Sequence, residues 1–252
     1  MRSPILYIYH NSQWRNHVTE TWRYLTRHYD CTANEECSTH IHVSFAPKFT
    51  LAELKQLASA VIQFEPAFEA LMPEHRRGNA WAVSNFLGSP YLKRQNKTRS
   101  ESIEAIEGAT DEVAVFRLIQ GYENSNFSWN FRSLFGKKGT IEFRQPPASL
   151  SVDDALGWAE LALNFVQAAI QGRSSIRRFL SNVGGLRSFL EQVNVLGVNE
   201  PARLLGLFGN KPANAASEPI DIDPAIIRDM DDKDKLTEKR TAQALTRYRR
   251  RP

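Results

Sequence analysis

Two short stretches, residues 39–44 (Thr-His-Ile-His-Val-Ser) and 139–146 (Gly-Thr-Ile-Glu-Phe-Arg-Gln-Pro), alternate β-branched or aromatic residues with polar ones. A period of two marks a strand with one buried face. Successive side chains on a strand point to opposite sides. His40, His42 and Ser44 therefore share one face, and Ile41, Val43 and Phe45 the other. In the second stretch Thr140, Glu142 and Arg144 share a face, with Ile141 and Phe143 opposite. A sheet that buries both apolar faces must present two imidazoles, a carboxylate and a guanidinium on its other side. Such a set can bind a metal ion and a phosphate together.

The rest of the chain reads as helices around such a sheet. Residues 4–10 predict a strand or an extended lead-in, and residues 16–29 a helix that lays Trp22 and Leu25 on the sheet. Thr50-Leu-Ala-Glu53 is a capping box opening a helix to about Met72, where Pro73 stops it. Residues 79–86 predict strand or loop, 88–100 a basic loop and 110–121 a helix. Residues 129–135 and 139–146 form a hairpin around Gly136-Lys-Lys-Gly139. Ser151-Val-Asp-Asp154 opens an amphipathic helix to Gly172, and shorter helices follow near 174–193 and 200–208. From Asn210 the pattern changes to a linker-like Asn214-Ala-Ala-Ser-Glu-Pro219, an acidic stretch and a basic end. The expected division is one domain over 1–209 and a mostly disordered, charged tail over 210–252, with one helix near 233–248. The expected class is α+β: an antiparallel sheet with one open ligand-binding face and helices packed on the other.

Composition narrows the partners. At 42% hydrophobic residues, 252 residues can bury a sizeable core. A net charge of +4, not gathered on one predicted face, is no nucleic-acid signature. Cys31 and Cys37 give no disulfide framework and point to a reducing compartment; they could pair, but two ordinary thiols is the preferred reading. No charged-then-apolar leader opens the chain, and no apolar run reaches the roughly 18–20 residues of a membrane span. A soluble cytoplasmic protein without membrane or nucleic-acid partners is expected. Gly-rich phosphate loops, a G-x-S-x-G elbow and paired C-x-x-C motifs are absent from the sequence.

Cys37-Ser-Thr-His-Ile-His-Val-Ser44, Phe64-Glu65-Pro66, Met72-Pro73, Arg76-Arg77-Gly78-Asn79, Trp129-Asn130 and Thr140-Ile-Glu-Phe-Arg144 follow one another in that order. Together they resemble the putative amidoligase family, a branch of the carboxylate–amine ligases related to glutamine synthetase and the γ-glutamyl-cysteine ligases. The resemblance spans residues 2–172. It implies a glutamine synthetase-like catalytic domain that joins a small-molecule carboxylate to an amine. ATP would phosphorylate the carboxylate, and the amine would attack the acyl phosphate. It also implies that His40 and Glu142 hold one Mg²⁺ or Mn²⁺. His42, Ser44, Arg76, Asn79 and Arg144 would face the nucleotide, with Arg77 and Arg144 stabilising phosphoryl charge. The family's earlier Glu-x-Glu strand has no counterpart ahead of Ser3-Pro-Ile-Leu6. The expectation is therefore an N-terminally truncated or degenerate domain, with weak nucleotide binding and little turnover.

Each residue also has a plainer reading. His40 and Glu142 could be polar residues on a solvated sheet face, and His42 a structural hydrogen bonder. Arg144 could pair with a neighbouring carboxylate, and Arg76, Arg77 and Asn79 could form a solvated turn. Glu65 is read as an exposed helical residue, Asn130 is left open, and Lys137 and Lys138 are read as turn residues. A pseudo-enzyme or nucleotide-binding module on the same fold is the alternative function. H-x-H plus Glu also suits a two-histidine, one-carboxylate iron site, against which the adjacent Arg144 argues.

Overall fold

Thr50 sets the main helix going. Its hydroxyl accepts the Glu53 amide at 3.3 Å, and the Glu53 carboxylate accepts the Thr50 amide at 2.7 Å. Thr50→Ala is expected to lower the unfolding free energy by about 1 kcal/mol. A urea midpoint that does not move would show that the box is dispensable.

The computed structural model describes residues 3–9, 12–121, 126–136, 138–172, 174–192, 201–223 and 226. Along them run α1 (Trp14–His28), β1 (Ile41–Val43), α2 (Leu51–Leu71), α3 (Asn85–Gly88), α4 (Arg99–Glu107), α5 (Glu112–Ile119), β2 (Trp129–Asn130), β3 (Ile141–Phe143), α6 (Val152–Gln171), α7 (Val183–Leu190) and α8 (Pro201–Phe208). The fold is α+β. Helix α2 is apolar nearly all round and buried from Leu57 to Leu71, save Gln63, which marks a central helix. Helices α4, α5, α6 and α7 pack on it. Its aromatic residues join those of the sheet and α6. Phe68 meets Phe165 edge-on at 4.9 Å, and Trp129 stacks on Phe143 at 4.5 Å.

Pro66 lies inside α2 and brings no N–H, so the carbonyl of Ile62 loses its helical donor. Arg99 fills the gap, donating Nη1 to the Ile62 oxygen at 2.8 Å while stacking on Phe86 at 4.4 Å.

The sheet has three antiparallel strands in the order β1-β3-β2. Its register pairs Ile41 with Phe143, His42 with Glu142 and Val43 with Ile141 on one side of β3. On the other side Trp129 pairs with Phe143 and Asn130 with Glu142. Ile141 and Phe143 are fully buried against the helices, as the alternation predicts. The two strands read from the sequence thus share one sheet.

Several elements differ from expectation. Residues 3–9 form no strand, and Ile5, Tyr7 and Tyr9 there are exposed. Helix α1 packs on α6 rather than on the sheet, through a buried Trp14, while Trp22 and Leu25 are half-buried. A 3₁₀ turn, Arg132–Phe135, replaces the tight turn between β2 and β3. Within 88–109, helix α4 opens on a Thr98–Glu101 capping box that the basic composition of 88–100 hides. Residues 79–86 contain the start of α3 and a single parallel bridge from Val83 to Phe127.

The stretch following Asn210 is not loose in its described part. Ala213 and Ala215 carbonyls accept the Gly184 and Val183 amides, and the Ser217 amide donates to Pro66 at 3.0 Å. Glu218 pairs with Arg99 at 2.6 Å, Ile220 rests on Gly78, and Ile222 is buried with Val83 and Phe127. Main-chain hydrogen bonds and isolated side chains hold this strap, so it carries no periodic signal. The acidic stretch beyond 223, save Ile226, and the helix expected near 233–248 lie outside the described residues. Among the described residues no helix is long and apolar enough to cross a membrane. Cys31 and Cys37 are exposed free thiols.

Candidate functional site

Glu142 is the centre of the polar sheet face. The register sets it directly between His42 and Asn130, where cross-strand side chains touch. Its Oε1 accepts from His40 Nδ1 at 2.9 Å and Arg144 Nη1 at 3.0 Å, and lies 3.5 Å from His42 Nε2. Its Oε2 accepts from Asn130 Nδ2 at 3.0 Å. Behind Asn130, Gln120 donates Nε2 to the Asn130 Oδ1 at 2.9 Å and accepts the Phe131 amide on Oε1 at 2.7 Å. Arg144 is held at its other nitrogens, Nε by the Trp81 carbonyl and Nη2 by Asn126 Oδ1, both at 3.3 Å.

The carboxylate itself is 5% exposed, whereas both imidazoles reach solvent. Burial opposes ionisation of Glu142. The hydrogen bond from His40 and the charge of Arg144 outweigh it and hold the carboxyl at about 2. His42 is lowered from its ordinary value, chiefly by burial and against the pull of Glu142. It is therefore a neutral imidazole at neutral pH. The arrangement is a fixed anion ringed by donors, with one neutral base at its solvent edge.

As it stands this donor set does not fit a divalent cation. Both ring nitrogens of His40 are engaged, Nδ1 by Glu142 and Nε2 by Ser38 Oγ at 2.8 Å. The oxygen a metal would take already carries the Arg144 guanidinium. One imidazole nitrogen and one carboxylate also suit Mg²⁺ poorly, since it takes mainly oxygen ligands. Among the described residues no group of three or more His, Cys, Asp or Glu is arranged to hold a metal.

The other expected residues are spread out. Arg76 is 1% exposed and donates to the Gln145 and Arg144 carbonyls at 3.0 and 3.1 Å. It is thus a buried brace for the chain leaving β3, not a group facing a ligand. Arg77 donates to Met72 and Ala70 carbonyls at the end of α2. Asn79 accepts the Trp81 amide at 2.8 Å, which shapes the turn whose Trp81 carbonyl receives Arg144. Ser44 is exposed just beyond β1. Lys137 lies outside the described residues.

Glu65 is buried, not exposed: it accepts from Ser84 Oγ at 2.9 Å and from the Asn85 and Phe86 amides, with Arg99 3.5 Å away. One turn on, Glu69 accepts the Gly78 amide at 3.2 Å and the Gln145 side chain. Burial raises both carboxyls, Glu69 to about 7. A void of about 10 Å³ beside them, roofed by Pro219, has room for one water. Strand alternation explains the split: Arg144 reaches the open face and Gln145 the helix.

Gln120 and Asn126 belong to the Glu142 network and escape sequence reasoning. Gln120 sits at the end of the helix expected at 110–121 and Asn126 outside every expected element, and only the fold brings them to β3. The profile of the family described as putative amidoligase enzyme matches residues 1–166. No curated protein and no solved structure matches the chain.

Proposed function

Because the chain belongs to the putative amidoligase family, we propose that it is an ATP-dependent carboxylate–amine ligase on a glutamine synthetase-like domain. The observation that carries this reading is the convergence of His40, His42 and Arg144 on one carboxylate at an accessible sheet face. In the reaction the substrate carboxylate takes the γ-phosphoryl group of ATP, releasing ADP. The amine then attacks the acyl carbon, expelling phosphate and forming the amide.

Arg144, fixed by Glu142, Asn126 and Trp81, offers a planar donor fork for phosphoryl oxygens. Its cost of orientation is already met by those partners. His42, neutral and at the solvent edge, is the base placed to accept the proton that the amine loses. Glu142 holds the two in register and fixes His40. Mg²⁺ or Mn²⁺ would arrive on the triphosphate, with oxygen ligands from nucleotide and water. No step here runs through a protein-held cation.

The closed network around Glu142 favours a second reading, a nucleotide-binding module on the same fold. One experiment separates them: ADP release with ATP, Mn²⁺ and pooled amino acids, beside an ATP-binding titration. The ligase reading expects ADP release that needs both a carboxylate and an amine, and Arg144→Ala to reduce it by about 10²-fold or more. ATP binding without ADP release supports the module. Absence of both defeats the two readings together.

A further inference from the structure

A second cavity shares no lining residue with the Glu142 network. It opens between the first half of α2, the end of α4 and the last turn of α6, and has a volume of about 350 Å³. That lies within the range of small-molecule sites. Lys55 and Ser59, one turn apart on α2, share the face that lines it. Ser59 is 2% exposed, yet its Oγ has no hydrogen-bond partner. Lys55 commits one ammonium donor to the Glu107 carbonyl at 2.9 Å, out of three. Facing them, Ala169 and Gly172 bring the C-terminal end of α6, where backbone carbonyls lack helical donors and the helix dipole is negative. Ile176 and Phe189 supply apolar wall.

We propose that this cavity binds a small α-amino acid with an apolar side chain, at a site separate from the sheet. Lys55 and the unpartnered Ser59 hydroxyl receive the carboxylate. The carbonyl end of α6 receives the ammonium group, and Phe189 and Ile176 cover the side chain. A simple anion would meet the negative end of α6, and a simple cation would meet Lys55. The zwitterion satisfies both ends at once. Ser59 lies nine residues along α2 from Phe68, which packs on Trp129 and Phe143 of the sheet, about 14 Å along the helix. A ligand here therefore acts as an effector or a docked reserve, not as the reacting group.

The test is calorimetric titration of the full chain with L-valine, L-leucine and L-phenylalanine in turn. 4-Methylpentanoate and 3-methylbutylamine serve as one-ended analogues of leucine. Saturable binding of at least one amino acid is expected, with leucine at least tenfold tighter than either analogue. Lys55→Ala and Ser59→Ala should each weaken the amino acid at least tenfold, while Glu142→Gln leaves it unchanged. Circular dichroism melting confirms that each variant is folded. No saturable binding by any of the three would overturn the proposal. So would undiminished binding in both α2 variants, or loss of binding in Glu142→Gln, which would move the ligand to the sheet site.

Discussion

Arg99→Ala is expected to cost about 3 kcal/mol of unfolding free energy, in the range for removing one partner of a buried charge pair. Arg99 serves three groups at once: the Ile62 carbonyl orphaned by Pro66, the buried Glu65 and the strap residue Glu218. Without it the carbonyl has no donor and the carboxylate no neighbouring cation. Arg99→Lys keeps the charge but not the fork, and should recover less than half the loss. Denaturant unfolding of Arg99→Ala, Glu65→Gln and the double variant gives the coupling between them. A loss below 1 kcal/mol would mean that the amides of Asn85 and Phe86 satisfy Glu65 by themselves.

Stability should also carry two opposed responses to pH, one from each carboxyl cluster. Glu142 has a folded value of about 2, below the ordinary 4.5. Its contribution is present above about pH 4.5 and lost as pH falls toward 2, amounting to about 3 kcal/mol. Glu69 has a folded value of about 7, above the ordinary 4.5. The unfolded chain then releases its proton first, so stability declines by about 3 kcal/mol as pH rises from 4.5 to 7. Glu69→Gln should shrink the decline to the part that the raised Glu65 contributes and raise stability at pH 8, whereas Glu142→Gln should remove the acid-side loss and lower stability at neutral pH. Urea midpoints from pH 3 to 8 read both. A Glu69→Gln profile that falls as steeply as the parent's between pH 5 and 7 would refute the assignment.

The sheet was legible because alternation at 39–44 and 139–146 reports directly which side chains share a face. The helix starts at Thr50 and Ser151 were equally readable, since each is a local exchange of hydrogen bonds within four residues. What failed was anything decided by distant partners. Arg76 looks like a loop cation until Gln145 and Arg144 present their carbonyls to it. Glu65 looks like a surface residue because its donors come from positions 84–86. Of the two readings of 4–10, strand or extended lead-in, the strand has the right composition but no neighbour to pair with among the described residues.

The strap and α7 bear on where this protein can be divided. The family match ends at residue 166, inside α6. Yet Phe189 of α7 packs against Phe64 and Phe165 at 4.9 and 5.8 Å, and the strap backbone ties α7 and Pro66 together. The unit shared with the family is therefore smaller than the unit that folds. A piece cut at the family boundary would expose the aromatic centre of the core to water. Inheritance and cooperativity draw different borders on this chain, and any excised version must follow the second.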